Sequence, residues 1–294
     1  MPLYVSGETV LNTTALGGVA AINFISQDGE FRPVADGLTD PGFAGILQST
    51  QRLGIATYDL KQGIAAAGWN GTALSGAGLL SYVRPLTAGS VSASASSYLL
   101  TIATGMLVPR SLSAAQGSPA MLELECIPYN TSGTIPFTFA SSSASFNTPT
   151  QDQGYTLGPV FLNGSAIADV ESVQIDFGIN EQILMSDGTT FVKSAAIESR
   201  MPVVTINTRS AALASQVLAG GFAVTQLDIY FRRVTVGAGI AANASEVHAL
   251  CSINVGVASN LQVQGRNVGT TIRVLPFYAA ATAVVALSSD VAIP

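Results

Sequence analysis

The residues of this chain that could do chemistry are few, and their spacing does not favour catalysis. The single histidine, His248, stands three residues before Cys251, which places the two side chains on opposite faces of a β-strand. A thiol–imidazole pair would therefore need an irregular backbone at this point. Paired carboxylates can hydrolyse sugars, and Glu123 and Glu125 are close enough to share one face of a strand, but we interpret them as a solvent-facing surface. We predict no catalytic residue.

Sequence motifs for cofactors and metals do not occur either. The segment 76–78 (GAG) lacks the rest of a dinucleotide-binding loop, and the chain has neither a Gly-Lys-Ser/Thr phosphate loop nor a His-Glu-x-x-His zinc motif. The two cysteines, Cys126 and Cys251, are too few for a disulfide framework or a zinc cluster, and we interpret both as buried thiols. The sequence therefore predicts no cofactor, no metal site and no enzyme.

Charge is scarce along the whole chain. Of its 294 residues, 12 are Lys or Arg and 18 are Asp or Glu, so 10% are charged. Ordinary soluble domains carry about 25%. A surface so poor in charge is typical of a protein that covers much of it with other subunits, although a Ser/Thr/Gly-rich secreted β protein is an alternative. The net charge of -6 and the lack of any basic run argue against a protein that grips phosphate backbones.

Neither a secretory signal nor a membrane span is expected. The first ten residues have no basic region followed by an apolar core, which a secretory signal requires. The longest late apolar run, residues 277–287, falls well short of the roughly 20 residues that a spanning helix needs. The sequence therefore predicts no membrane partner.

The second half of the sequence echoes the first. At an offset of 148 residues, His248 aligns with Leu100 and Cys251 with Ala103. The other matches are 79–84 with 227–232 and 127–129 with 275–277 at 148, Ile55 with Ile206 at 151, 22–24 with 175–177 at 153, and 5–7 with 162–164 at 157. An ordered series of offsets that drifts at presumed loops is what a duplication leaves behind.

The duplication predicts two domains, residues 1–140 and 155–294, joined by a linker at 141–154 that carries Ser and turn residues. Each domain is expected to be all-β with one short helix. Residues 122–126 alternate apolar side chains with the two glutamates, as a strand with one buried face does. Thr57 and Thr208 are predicted helix N-caps. The fold class is therefore a tandem of β-sandwich or barrel domains.

The order of elements in each half resembles that of the tail-tube (major tail) proteins of long-tailed bacteriophages. A strand, an Asp-Gly hairpin loop, a second strand and a Thr-capped short helix are followed by strands that end in an apolar–Pro–aromatic triplet. Residues 201–208 (MPVVTINT) are one stretch that carries the likeness. The resemblance covers nearly the whole chain and rests on this architecture, with no diagnostic motif.

The resemblance implies a structural protein of the virion tail that is assembled in the host cytoplasm. Such domains close into sixfold rings with a continuous inner β-barrel and an outer helix, and the rings stack into a conduit for DNA. A chain with two domains then forms a homotrimer with pseudo-sixfold symmetry. Its partners are other copies of itself, other tail proteins at the two ends, and DNA that passes without specific binding. The alternatives are a tail-tip, terminator or head protein, and a secreted adhesin or carbohydrate-binding protein.

Two sets of residues are candidates for roles in such a tube. The first lies in long segments between early strands, where loops that contact a neighbouring ring are expected: Asp36, Gly37, Asp187 and Gly188. The second would form an acidic lumen wall, because a neutral or acidic wall lets DNA slide whereas a basic wall holds it. Its candidates are Glu123, Glu125, Asp169, Glu171 and Asp176. Either sheet face could point inward.

Overall fold

The computed structural model describes residues 3–28, 31–34, 42–45, 49–68, 71–74, 79–87, 90–91, 97–142, 154–186, 188–210, 221–235, 237–264, 269–276 and 286–294. Within these ranges the chain is mostly β-strand with one α-helix, which confirms the predicted all-β class. The helix that the sequence predicts after Thr208 falls on residues 211–220, outside the described residues.

The described part of the first half contains thirteen strands and the helix. They are β1 (Leu3–Leu11), β2 (Thr14–Leu16), β3 (Val19–Asp28), β4 (Phe31–Val34), β5 (Gly42–Gly45), β6 (Ser49–Thr57), α1 (Leu60–Ala67), β7 (Thr72–Leu74), β8 (Leu79–Thr87), β9 (Ser90–Val91), β10 (Ser97–Ile102), β11 (Gly105–Ala115), β12 (Met121–Pro128) and β13 (Phe137–Ser142).

The described part of the second half contains thirteen further strands. They are β14 (Gly154–Leu162), β15 (Ser165–Ala166), β16 (Val170–Asp176), β17 (Ile179–Leu184), β18 (Ser194–Arg200), β19 (Val203–Thr208), β20 (Phe222–Val224), β21 (Leu227–Thr235), β22 (Gly239–Ile240), β23 (His248–Ile253), β24 (Gly256–Gln264), β25 (Gly269–Pro276) and β26 (Ala286–Val291). Because β13 reaches Ser142 and β14 begins at Gly154, both strands extend into the predicted linker.

The strands form three large sheets and two hairpins. A six-stranded sheet in the first half has the order β13-β10-β8-β1-β2, with β9 beside β8. A six-stranded sheet in the second half has the order β15-β14-β21-β23-β26, with β22 beside β21. The third sheet takes ten strands from both halves, in the order β20-β24-β25-β19-β16-β11-β12-β6-β3, with β7 beside β11. The hairpins are β4-β5 and β17-β18.

The two halves have the same connectivity. Strand β1 pairs with β2 and β8, and β14 pairs with β15 and β21. Strand β12 lies between β6 and β11, and β25 lies between β19 and β24. Among the described strands, each pairing inside the first half has a counterpart inside the second, with β1 to β13 matching β14 to β26 in order.

Three β-bulges recur at an offset of 151 residues. The bulge between Ser6 and Thr9 recurs between Leu157 and Val160. The bulge between Val19 and Ala21 recurs between Val170 and Ser172. The bulge between Pro109 and Ser111 recurs between Asn260 and Gln262. The bulges place β1 and β3 at 151 from their counterparts, so the predicted offsets of 157 and 153 for these strands are wrong. The drift is smaller than the sequence matches indicated.

The predicted partners of His248 and Cys251 are also wrong. Leu100 lies opposite Ser81, and Cys251 lies opposite Ile229, which follows Ser81 by 148 residues. Cys251 therefore corresponds to Leu100, and His248 corresponds to the first residue of β10. The loops before β10 and β23 differ in length, and this difference shifts the offset from 148 to 151.

Strand β11 joins the two halves. On one side it pairs with β12 along most of its length. On the other side its residues 105–107 pair with β7, and its residues 111–115 pair antiparallel with β16, from Ser111 opposite Asp176 to Ala115 opposite Ser172. The predicted division into two domains is therefore not a division between sheets, because one sheet runs through both halves.

The ten-stranded sheet has one apolar face and one polar face. The apolar face packs against the two six-stranded sheets, and together they bury a single core. Its fully buried members include Leu53, Ile55, Leu122, Leu124, Leu112, Ile175, Val204, Ile206, Ile272 and Val274. The alternation predicted for residues 122–126 is confirmed, with the leucines and Cys126 in the core and the glutamates on the opposite face.

Helix α1 begins at Leu60, three residues after Thr57, the threonine predicted to cap it. The side chain of Asp59 accepts a hydrogen bond from Gln62 N at 3.1 Å and is the N-cap, and burial raises the pKa of this carboxyl. Thr57 is the last residue of β6, and its hydroxyl donates to Gly17 O at 2.9 Å. Thr208 makes the equivalent bond to Ala168 O at 2.7 Å. The two threonines therefore anchor strand ends.

Gly178 sets the turn from β16 into β17, and we expect Gly178→Ala to destabilise the protein more than Gly188→Ala. Both glycines have positive φ, 54° and 68°, so alanine costs about 1–2 kcal/mol at either position. A Cβ on Gly178 would also collide with the carbonyl of Met201, whereas nothing lies within 4 Å at Gly188. Urea unfolding measures the two losses, and equal losses would contradict this account of the turn.

Candidate functional site

The polar face of the ten-stranded sheet is the candidate functional surface. It combines side chains from β3, β6, β12, β11, β16, β19, β25 and β24, in that order across the sheet. They include Asn23, Ala56, Glu123, Ser111, Ser113, Gln174, Asp176, Thr205, Asn207, Thr271, Arg273 and Ser259. Apart from Ala56, these side chains present hydroxyl, amide and charged groups, although Ile25 of β3 lies on the same face and is 53% exposed.

Short polar side chains on this face are linked across strands. Ser111 donates to Glu123 at 2.7 Å, and Asn207 donates to Ser172 at 2.8 Å. Thr271 in turn donates to Asn207 Oδ1 at 2.7 Å. One bond links β11 to β12, and the other two link β16, β19 and β25. They hold these side chains against the sheet.

Three of the five predicted acidic residues lie on the polar face. Glu123 and Asp176 are exposed there, on either side of β11, and Glu125 is half-buried two residues along β12. The side chain of Asp176 also accepts a hydrogen bond from Gly178 N at 2.8 Å. The structure therefore brings these three carboxylates to one surface, and their role in a lumen wall stays a prediction.

The other two predicted acidic residues lie at the end of the sheet. Asp169 is in the turn before β16 with φ of 52°, and Glu171 is in the bulge of β16, where it pairs with Arg209 at 2.5 Å. Both line a surface pocket of about 860 Å³ at the junction of the halves, together with Arg232. They are therefore separate from the carboxylates on the polar face.

A cluster of two arginines and two glutamates clasps the halves together. Arg110, in the bulge of β11, donates to Glu125 at 2.9 Å, to Glu181 at 2.8 Å and to the carbonyl of Ile179 at 2.7 Å. Arg52 of β6 pairs with the same two glutamates. Because Glu181 belongs to β17, the cluster ties the second half's hairpin β17-β18 to three strands of the first half. We call these four residues the clasp.

Contacts within the clasp shift the pKa values of Glu181, Arg52 and Arg110 toward their charged forms. Burial opposes ionisation, but the hydrogen bonds from Arg110 and Arg52 lower the pKa of Glu181 below its ordinary value of 4.5. Burial likewise disfavours the charged guanidinium groups, yet the carboxylates raise the pKa of both arginines. Glu181, Arg52 and Arg110 are therefore ionised at neutral pH.

The loop of the hairpin β17-β18 also rests on the first half. Ser49 N donates to Thr190 O at 2.7 Å, and Asn130 N donates to Val192 O at 2.9 Å. Val192 is fully buried, whereas Gly188 is exposed at the tip. The other three predicted inter-ring residues, Asp36, Gly37 and Asp187, lie outside the described residues. Contact between Gly188 and a neighbouring ring stays a prediction.

The candidate catalytic residues are held in structural roles. His248 is fully buried; its Nδ1 accepts from Arg233 N at 3.1 Å, and its Nε2 lies 2.9 Å from Ala242 O and donates to it. Cys126 and Cys251 are fully buried, and burial raises the pKa of both thiols. In the ranges that the structure describes, no group of three His, Cys, Asp or Glu side chains could hold a metal ion.

Sequence reasoning missed the clasp. Arg52 and Glu181 are 129 residues apart, and Arg110 lies in the bulge of β11. The one available signal was the rarity of charge: because the chain has 12 basic residues, each of them is a candidate for a specific contact.

We expect Glu181→Gln to loosen the hairpin β17-β18 and to lower the free energy of unfolding by about 1–3 kcal/mol at pH 7. The stabilisation by Glu181 is fully present above its ordinary pKa of 4.5 and is lost as the pH falls through the lower pKa of the folded state. The variant should therefore lose less stability than the wild type below pH 4.5. Denaturant unfolding at several pH values measures both effects.

Glu198→Gln is the matched control for this experiment, because Glu198 is exposed on the same hairpin. It should change stability by less than about 0.5 kcal/mol. An equal loss of stability in the two variants would show that removal of any charge from the hairpin destabilises the protein, and it would contradict a specific role for the clasp.

Comparison with known proteins supplies no identity for the chain. No protein-family model matches it, and no curated protein matches it. Within the described ranges, no helix is both long enough and apolar enough to cross a membrane. A function must therefore be argued from the polar face, the shared sheet and the junction between the halves.

Proposed function

We propose that this chain is a structural protein of a virion that assembles into rings, and that stacked rings form the tail tube of a long-tailed bacteriophage. The observation that carries the proposal is the ten-stranded sheet, to which two halves of equal connectivity contribute. A sheet that continues from one repeat into the next can continue again into another copy of the chain. A repeat joined head to tail in this way forms a ring when the rotation closes.

The number of chains in the ring follows from the repeat. If each half is one copy of a duplicated tail-tube domain, three chains supply six seats with pseudo-sixfold symmetry. Inside each chain, the pairing of β11 with β16 joins one seat to the next and so forms every second joint of the ring. The remaining joints lie between chains, so that each ring is a homotrimer. The short connection between β13 and β14 suits neighbouring seats, because 11 residues, 143–153, separate the two strands.

The polar face suits a conduit for DNA. Its charged groups include Arg273, Glu123 and Asp176, and the four residues of the clasp neutralise one another. A wall with few unpaired cationic side chains does not bind the phosphates tightly, so DNA can slide along it. Many of the side chains on this face are small hydroxyl and amide groups, which present no obstacle in a lumen. The proposal therefore assigns the polar face to the inside of the tube and helix α1 to the outside.

The absence of chemistry among the described residues agrees with such a role. The buried thiols and the buried imidazole contribute to packing and hydrogen bonding, and the carboxylates on the polar face serve a surface that binds nothing tightly. Other tail proteins would contact only the two ends of the tube. These partners, like the tube itself, belong to the proposal.

Electron microscopy of the purified full chain tests the function. In negative stain at high protein concentration we expect hollow tubes or rings, with threefold symmetry and the mass of three chains of 30.1 kDa each. A chain that stays monomeric, or a ring of six whole chains, would contradict the proposal.

The direction of the polar face is tested by labelling in the assembled tube. Gln174→Cys places a thiol on that face, and Ala65→Cys places one on the exposed side of α1. A maleimide coupled to a folded protein should label Cys at position 65 in tubes and spare position 174, whereas a small maleimide should label both. The native thiols stay silent because both are buried. Equal labelling by the bulky reagent would place the polar face outside.

A further inference from the structure

The pairing of β11 with β16 is the one pairing in the described strands that has no counterpart. Strand β24 corresponds to β11, and β3 corresponds to β16. An equivalent contact would therefore pair β24 with β3. These two strands stand seven strand spacings apart in the ten-stranded sheet, about 34 Å at about 4.8 Å each. They are not neighbours within one chain.

The free part of β24 has the same form as the part of β11 that binds β16. Strand β20 covers one side of β24 only at residues 256–258, as β7 covers β11 only at residues 105–107. The opposite side of each strand is filled, by β25 and by β12. Beyond Ala258, the side of β24 next to β20 pairs with no strand that the structure describes. Its backbone groups are therefore available to a further strand.

The outer edge of β3 pairs with no strand that the structure describes, and exposed apolar side chains lie beside it. Strand β6 pairs with one side of β3, and no described strand pairs with the other. Phe24 is 40% exposed, whereas Ile175, its counterpart on β16, is 0% exposed beneath the shared sheet. Ile25 beside it is 53% exposed. Large apolar side chains on an unpaired edge are typical of a surface that a partner covers.

We propose that the open edge of β3 in one copy of the chain pairs antiparallel with the free part of β24 in a second copy. The register follows from β11 and β16, where Ser113 lies opposite Gln174. The counterparts of these two residues, at an offset of 151, are Gln264 and Asn23. Gln264 of one copy therefore lies opposite Asn23 of the next, and Phe24 lies opposite residue 263. The partner is another copy of this chain.

The pairing continues both faces of the sheet. On β3 the exposed side chain of Asn23 lies on the polar face, and Phe24 lies on the apolar face, where its ring meets Phe137 edge-on at 5.1 Å. In the inferred register, polar positions of β24 meet polar positions of β3. A slip by one residue would exchange the faces along the whole strand. This inference deepens the proposed ring and rests on it.

Disulfide cross-linking tests the register in the full chain. Asn23→Cys combined with Gln264→Cys should form a bond between chains under mild oxidation and give dimers and trimers on a non-reducing gel. Ser113→Cys combined with Gln174→Cys is the positive control, because these residues face each other inside one chain and should close without a change in chain number. Asn23, Ser113 and Gln174 lie on the polar face, so their substitution does not disturb the core.

Asn23→Cys combined with Ser259→Cys is the register control. Ser259 lies on the same strand and face, about 15 Å from position 264 along β24. It should give no cross-linked ladder. Equal cross-linking by both pairs with Asn23→Cys would overturn the register.

Mass measurement and electron microscopy of the same variants separate the two proposals. If rings form and the internal pair closes while Asn23→Cys and Gln264→Cys stay reduced, this inference fails and the proposed ring stands. If the pair links chains into trimers that never form tubes, the interface stands and the tube fails. A chain that remains monomeric overturns both.

Discussion

The antiparallel pairing of β11 with β16 is the contact on which the rest of the structure depends. It turns the inner strands of both halves into one sheet, with Ser111 opposite Asp176 and Leu112 opposite Ile175. Because side chains alternate along a strand, this register puts the polar residues of both halves on one face and the apolar residues in one core. A slip by one position would expose Ile175 and bury Asp176. Continuity of the polar face is thus a consequence of a five-residue ladder.

That ladder is short, and the hairpin β17-β18 reinforces it. The hairpin leaves β16 at Gly178, crosses the polar side of the first half and is tied there by the clasp and by backbone bonds at Ser49 and Asn130. A pair of partly buried ions is weak as a source of stability, but it specifies geometry when every charge has partners. The clasp meets that condition, since each arginine contacts both glutamates. The hairpin therefore orients the halves as well as joining them.

Local patterns predicted much of the fold and little of the site. Alternation identified the two faces of β12, and the repeat of turn and apolar residues indicated that the halves share an order of elements. The offset at β10 was wrong because unequal loops do not appear in a residue pattern, and the short matches at β1 and β3 do not follow the strand pairing. Thr57 does not cap the helix, because its hydroxyl donates a hydrogen bond to Gly17 O, a contact with a distant part of the chain. Arg52, Arg110 and Glu181 meet only after folding, so no spacing could have identified them.

The clasp has no equivalent in the second half. At an offset of 151, Arg52 corresponds to Val203 and Arg110 to Leu261, and at 148 Glu125 corresponds to Arg273. A ring closed through β3 and β24 would thus alternate two kinds of joint, one covalent and ion-clasped, the other held by backbone bonds and apolar contact. Under mechanical load, such as bending of a long tube or pressure from its contents, the second kind yields first. The ring would fracture into intact chains, and its number of weak points would equal the number of chains, half the number of seats.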